Sequence, residues 1–161
     1  MELSQPTIFL FSANLNVIAN SGNDTLVGSE GNKTLNGGES NNVLIGGLGA
    51  DTLTGGLGAD RFDFNLIAES AGASIDTIAD FSRLQLDKID LSTIDTKSGT
   101  ALINDAFAFI GNNSAFSNIA GQLMFDTATN SIYDDVNGDS AADFQIILTG
   151  VTSLLATDFI L

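Results

Sequence analysis

The sequence predicts an all-β chain: a parallel β-roll, a solenoid of nine-residue half-coils, followed by a β-rich C-terminal cap. Three observations carry this. One apolar residue recurs every nine positions without a miss, at Ile8, Val17, Leu26, Leu35, Leu44, Leu53 and Phe62. Glycine-rich stretches lie between these residues, so each unit holds a turn of about six residues and a strand of about three. From about Asp63 the period is lost and short alternating stretches replace it. The roll is placed at residues 1–63, degenerate before 19, and the cap at 64–161.

The rows can be read in order. Those of Ile8 and Val17 keep only the apolar position. Then come ANSGNDTLV from Ala19, GSEGNKTLN from Gly28, GGESNNVLI from Gly37, GGLGADTLT from Gly46 and GGLGADRFD from Gly55. The last two fit G-G-x-G-x-D-x-U-x, with U apolar. Two half-coils close one coil of eighteen residues, and successive coils stack their strands in parallel at about 4.8 Å. Leu26, Leu44 and Phe62 then line one inner wall, and Val17, Leu35 and Leu53 the other. A flexible linker has no reason to keep seven apolar residues in register. Gly47 and Gly49 do not begin a dinucleotide loop, because Thr52 stands where the third glycine belongs.

The sixth position of each row carries the chemistry. It reads Asp24, Lys33, Asn42, Asp51 and Asp60, each facing its counterpart one coil and eighteen residues away. Calcium suits such a place, since it takes six to eight oxygens from carboxylates and main-chain carbonyls. Asp51 and Asp60, in the intact rows with Gly46, Gly47, Gly49, Gly55, Gly56 and Gly58, are expected to give the strongest sites. Asp24 faces only Asn42, which offers an amide oxygen without charge. Lys33 cannot ligate a cation, and its ammonium is expected to occupy the space of an ion beside Asp51. Glu69, eighteen residues beyond Asp51, and Asp76 and Asp80, which bracket the same distance beyond Asp60, are candidates to close the last two sites.

In the second half, alternation predicts strands at Lys88–Leu91, Ala106–Ile110, Gln122–Asp126, Ser131–Val136, Asp143–Leu148 and Asp158–Leu161, with a helical turn at Leu102–Asp105. Phe81, Phe107, Phe109, Phe116, Phe125, Phe144 and Phe159 are core candidates. A solenoid's open end exposes hydrogen-bonding edges and apolar side chains, so a cap is required. Asp135, Asn137, Asp139 and Asp143 have the spacing of positions 1, 3, 5 and 9 of an EF-hand loop. Ser140 replaces its glycine and Ile146 its bidentate glutamate. The stretch reads either as an acidic hairpin turn or as a weak calcium site.

Composition narrows the function. Sixteen Asp and four Glu against five basic residues give a formal charge of −15, which opposes nucleic-acid phosphates and anionic membrane surfaces and favours cations. With no His and no Cys there is no zinc–histidine site, no thiol nucleophile and no disulfide. No nucleophile–base pair is visible, so no catalytic residue is assigned and no enzyme activity expected. No segment reaches the ~20 apolar residues of a membrane span. The N-terminus has Glu2 and no base before its apolar run, a poor cleaved signal peptide.

At these residues the sequence resembles the RTX family of hemolysin-type calcium-binding repeats. GGLGADRFDF, SIDTIADF, LDKIDLSTID, AFAFIG, AFSNIAGQLMF, DVNGDSAADFQIILTGV and the final DFIL resemble the C-terminal module of serralysin-type metalloproteases. Similar modules end mannuronan epimerases and lipases. The resemblance implies a right-handed parallel β-roll, calcium ions between coils, an extracellular location, and export by type I secretion machinery that reads the C-terminal end. It does not imply protease activity. The expected protein is a non-catalytic calcium-binding module that folds on calcium after export, with a catalytic or adhesive domain upstream. Two alternatives are the detached tail of a secreted enzyme and a calcium-dependent adhesion or carbohydrate-binding module.

Overall fold

The computed structural model describes residues 7–9, 14–19, 21–94 and 106–161, with backbone alone at 7–9. The helical turn expected at Leu102–Asp105 lies outside them. Each apolar residue of the nine-residue period centres a three-residue strand: β1 (Thr7–Phe9), β2 (Asn16–Ile18), β3 (Thr25–Val27), β4 (Thr34–Asn36), β5 (Val43–Ile45), β6 (Thr52–Thr54) and β7 (Arg61–Asp63). Odd strands stack in one sheet and even strands in the other, all in parallel, with partners eighteen residues apart such as Leu26 opposite Leu44 and Leu35 opposite Leu53. Leu26, Leu35, Leu44, Leu53 and Phe62 are fully buried between the sheets. A three-residue strand leaves only its middle side chain pointing inward, so one apolar residue per row suffices.

The parallel ladder does not stop at 63. It continues through β8 (Asp76–Ile78) and β9 (Lys88–Asp90), whose Ile78 and Ile89 extend the two inner columns beyond Leu53 and Phe62. The connections are longer than in the rows before and contain 3-10 turns at Ile67–Ser70 and Arg83–Gln85. A strand needs only to arrive in register with the one before, so a turn can lengthen without breaking the stack. The nine-residue period is lost while the solenoid persists.

The remaining strands are β10 (Ala108–Asn112), β11 (Gln122–Asp126), β12 (Ser131–Asp135), β13 (Phe144–Leu148) and β14 (Phe159–Ile160), close to the stretches that alternation marked. β13 pairs in parallel with β8, and β12 and β11 follow antiparallel, so the cap is a continuation of the even sheet. β14 closes the odd sheet by pairing with β9. Phe81, Phe107, Phe125, Phe144 and Phe159 are buried, and Phe64 meets Phe144 edge-on at 5.6 Å across the junction of roll and cap. Phe109 and Phe116 are half-buried.

Candidate metal centres in the turns of the roll

The sixth residue performs one task in the rows of Asn42, Asp51 and Asp60. Its side chain reaches back one coil and accepts the main-chain N–H of the sixth residue there. Asn42 Oδ1 accepts Asp24 N–H at 2.8 Å, Asp51 Oδ1 accepts Lys33 N–H at 2.6 Å and Asp60 Oδ1 accepts Asn42 N–H at 2.8 Å. Beyond the intact rows, Asp76 Oδ1 accepts Asp51 N–H at 2.7 Å and Asp87 Oδ1 accepts Asp60 N–H at 3.0 Å. Each of these five side chains thus commits one atom to the coil before it. The second atom remains for its own turn.

What that second atom meets differs between rows. In Asn42 it is the amide nitrogen, which donates to the carbonyls of Ser40 at 3.0 Å and Glu39 at 3.4 Å in the same turn. Lys33 does the same with its ammonium, which donates to Ser29 O at 3.0 Å and to Gly31 O. It reaches Leu48 O in the next coil at 3.5 Å and lies 3.6 Å from Asp51 Oδ1. The carbonyls of these turns therefore converge on one point, and a donor fills it. In the Asp24, Asp51 and Asp60 rows the second atom is a carboxylate oxygen, itself an acceptor. Asp24 Oδ2, Asp51 Oδ2 and Asp60 Oδ2 are buried without a hydrogen-bond partner, as is Asp76 Oδ2. Buried acceptors facing acceptors call for a cation.

Glycine shapes the same space. A Cβ on Gly46 would lie 2.6 Å from Asp51 Oδ2, and one on Gly55 would lie 2.5 Å from Asp60 Oδ2. The first glycine of the row therefore leaves the room that the carboxylate occupies. The second and fourth serve coil stacking. Gly56, at φ +96°, would place a Cβ 1.9 Å from Gly38 O, and Gly47, Gly49 and Gly58 face Ser29 O, Gly31 O and Ser40 O in the same manner.

The closing acids are arranged differently from the eighteen-residue expectation. Asp76, rather than Glu69, takes the place one coil beyond Asp51. Glu69 is buried nearby, accepts Asn65 N–H at 3.0 Å, and its carboxyl is raised by burial and by the charges of Asp63 and Asp51. Asp80 does not fill the place beyond Asp60. Its two oxygens accept Gly55 N–H at 2.9 Å and Gly56 N–H at 2.8 Å, and Asp87 fills the place instead. Sequence reasoning missed Asp87 because it lies 27 residues beyond Asp60. The signal was present: Asp76-Thr77-Ile78 and Asp87-Lys88-Ile89 repeat the D-x-U of Asp51-Thr52-Leu53 and Asp60-Arg61-Phe62.

Burial pushes the Asp76 carboxyl up to about 8, against a main-chain N–H that lowers it and the charges of Asp51 and Glu69 that raise it further. Burial likewise pushes Asp87 up to about 6, with Asp60 and Asp80 adding repulsion. Asp51 and Asp60 are also raised by burial. Among the described residues no group of three acidic side chains is arranged to hold a cation alone. Main-chain carbonyls would have to complete any site, which is how calcium is commonly held.

The 135–143 stretch closes on itself. Asp135 accepts Gly138 N–H at 2.6 Å and Ser140 N–H at 2.8 Å. Asp143 accepts Val136 N–H at 2.9 Å, and Asn137 and Asp139 accept N–H groups two residues on. These bonds are those of a tight acidic turn, whose oxygens serve the loop's own backbone.

A family model, the peptidase M10 serralysin C terminal, matches residues 12–161. The chain belongs to that family. The family is that of the C-terminal, non-catalytic domain of serralysin-type proteases. A solved relative is the AlgE6R3 subunit of the mannuronan C5-epimerase from Azotobacter vinelandii, in a solution structure. It is 26% identical with a TM-score of 0.60, over 92% of this chain and 78% of that one. The β-roll and the RTX-type repeat read from the nonapeptide rows hold in this serralysin C-terminal module. No curated protein matches the chain. No helix among the described residues is long and apolar enough to cross a membrane.

Proposed function

We propose that the chain is a non-catalytic, extracellular calcium-binding module that folds on calcium after type I export and closes the C-terminal end of a larger secreted protein. The observation that carries this is the contrast between rows. Lys33 and Asn42 satisfy their turn carbonyls with N–H groups, whereas Asp24, Asp51 and Asp60 present buried, unpartnered oxygens to equivalent turns. A calcium ion between coils satisfies both sets of acceptors. Asp51 with Asp76, and Asp60 with Asp87, would hold two ions near the junction with the cap, with Glu69 and Asp80 adding negative charge. Asp24 above the neutral Asn42 would hold one more weakly. When bound, calcium supplies the positive charge that lets Asp51, Asp60, Asp76 and Asp87 ionise while buried.

The family and the epimerase subunit support a place at the end of a secreted enzyme, whose chemistry would lie in a separate domain. The sequence itself holds no His and no Cys. The low cytosolic calcium level would keep the acidic coils open for export. The test is a calcium titration followed by circular dichroism and calorimetry. Excess chelator should abolish most of the β signal. Asp51→Asn and Asp60→Asn should each weaken calcium binding by about tenfold or more, and more than Asp24→Asn, because calcium affinity follows the charge of its ligands. Spectra and melting temperature indifferent to chelator would reject the proposal.

A further inference from the structure

We infer that Lys33 and Asn42 are built-in substitutes for metal ions, so that their own turns, before β4 and β5, close without metal while the turns of Asp51 and Asp60 beyond them do not. The inference rests on the calcium reading of the Asp rows and extends it to the rows that do not fit an ion.

The geometry of Lys33 is that of a bound cation. Its side chain is fully buried, in a protein with five basic residues against twenty acids. A buried ammonium is costly unless it is paired and hydrogen-bonded. Here it meets Ser29 O and Gly31 O in its own turn, with Leu48 O and the Asp51 carboxylate in the next. That is an oxygen cage drawn from two successive coils, with the net charge of one carboxylate neutralised. A Cβ on Gly28 would lie 2.7 Å from Lys33 Cδ, so the row's first glycine makes room for the lysine stem as Gly46 does for a carboxylate. On the other side of the roll, the Asn42 amide donates to Ser40 O and Glu39 O and accepts from Asp24 N–H. It fills the turn with N–H groups but brings no charge to the Asp60 carboxylate, which accepts the Asn42 main-chain N–H at 2.8 Å.

A second device covers the same rows. At the fifth position, Asn14 Oδ1 accepts Asn32 N–H at 3.1 Å, and Asn32 Oδ1 accepts Ala50 N–H at 3.0 Å. On the opposite side Asn23 Oδ1 accepts Asn41 N–H at 3.0 Å, and Asn41 Oδ1 accepts Ala59 N–H at 2.8 Å. Both ladders of amides end on alanine at the Asp51 and Asp60 rows. There the neutral side-chain ladder stops, and from there each of Asp51, Asp60 and then Asp76 leaves an oxygen without a partner, as only Asp24 does among the described rows before. The roll thus changes its manner of stacking along its length, from amide and ammonium donors to carboxylates that need an ion.

The deciding experiment uses the full chain with calcium or with excess chelator. Hydrogen exchange should show the amides of β4 and β6 better protected in chelator than those of β8 and β9. Lys33→Met, which keeps the stem and loses the charge, should cut the β4 and β6 protection in chelator by about tenfold or more. Lys33→Asp should lose it in chelator, recover it in calcium, and bind one more ion than the parent by calorimetry. Asn42→Asp, a milder change, should also gain an ion, which keeps the inference testable if the Lys33 variants do not fold. Uniform protection along the roll in chelator, or an unchanged ion count in both aspartate variants, would overturn it. If the parent binds no calcium, the proposed function fails, and the exchange pattern of parent and Lys33→Met still decides this inference.

Discussion

Asp134 isolates the cost of a buried carboxyl. It is fully buried on β12, directly opposite Leu123 and Phe144, and neither of its oxygens has a partner. Burial pushes it up to about 8, with Asp143 and Asp135 adding repulsion. The folded chain therefore holds a proton there that the unfolded chain releases above its ordinary value of 3.8. The sign follows: this group's contribution is fully present below pH 4 and is lost as pH rises toward 8. Asp134→Leu should therefore stabilise calcium-saturated protein at pH 8, by about 1–3 kcal/mol, because an unsatisfied polar group leaves the core. The gain should shrink at pH 5. Thermal melts showing equal gains at both pH values would contradict this account of Asp134. Nothing in the sequence marked this residue, since it follows the alternation of its strand only if an acid is counted as a core residue. The sixth-position residues were legible for the opposite reason, because a fixed row number gives each one a fixed neighbour.

At the scale of elements, the strands were easier to read than the turns. A strand announces itself by one inward residue and a period, and every row from Ala19 to Gly55 supplied both. Two strands, β8 and β9, belong to the roll although the period had ended, because their connections lengthened while their D-x-U triplets stayed in register. That lengthening displaced the expected partners of Asp51 and Asp60 and hid Asp87. The last element, β14, shows how the end of the chain is held. Arg83, in the 3-10 turn before β9, donates to both oxygens of the buried Asp158 at 3.0 and 3.1 Å and to Ser153 O at 2.7 Å. Lys88 donates to Thr157 O, and Phe159 pairs with Ile89 and stacks near Phe109 at 5.1 Å. Arg83→Ala should leave Asp158 buried without its cation and cost about 1–3 kcal/mol. Faster amide exchange confined to β14 and its neighbours is the expected signature. Unchanged exchange there would mean that strand pairing alone holds the C-terminal segment.

For the molecule as a whole, roll and cap share one continuous core and the same two sheets. The cap blocks the end at which the described roll carries most of its unpartnered carboxylate oxygens, so the proposed metal binding and cap docking would act on the same coils. Asp87 links them directly: one oxygen accepts Asp60 N–H in the roll, and the other accepts Ser82 N–H at 2.8 Å, next to the arginine that holds the C-terminal segment. A chain with a charge of −15 gains most from cations placed where carboxylates have no other partner. The central claim is therefore one of position. Anomalous X-ray diffraction from crystals grown with calcium or a lanthanide tests it most directly. Peaks should lie beside Asp51 Oδ2 and Asp60 Oδ2, inside the turns of the roll, with none at the Lys33 ammonium. Ions bound only on the outer sheet faces or in the 135–143 turn, or no ion in either Asp turn, would contradict the account.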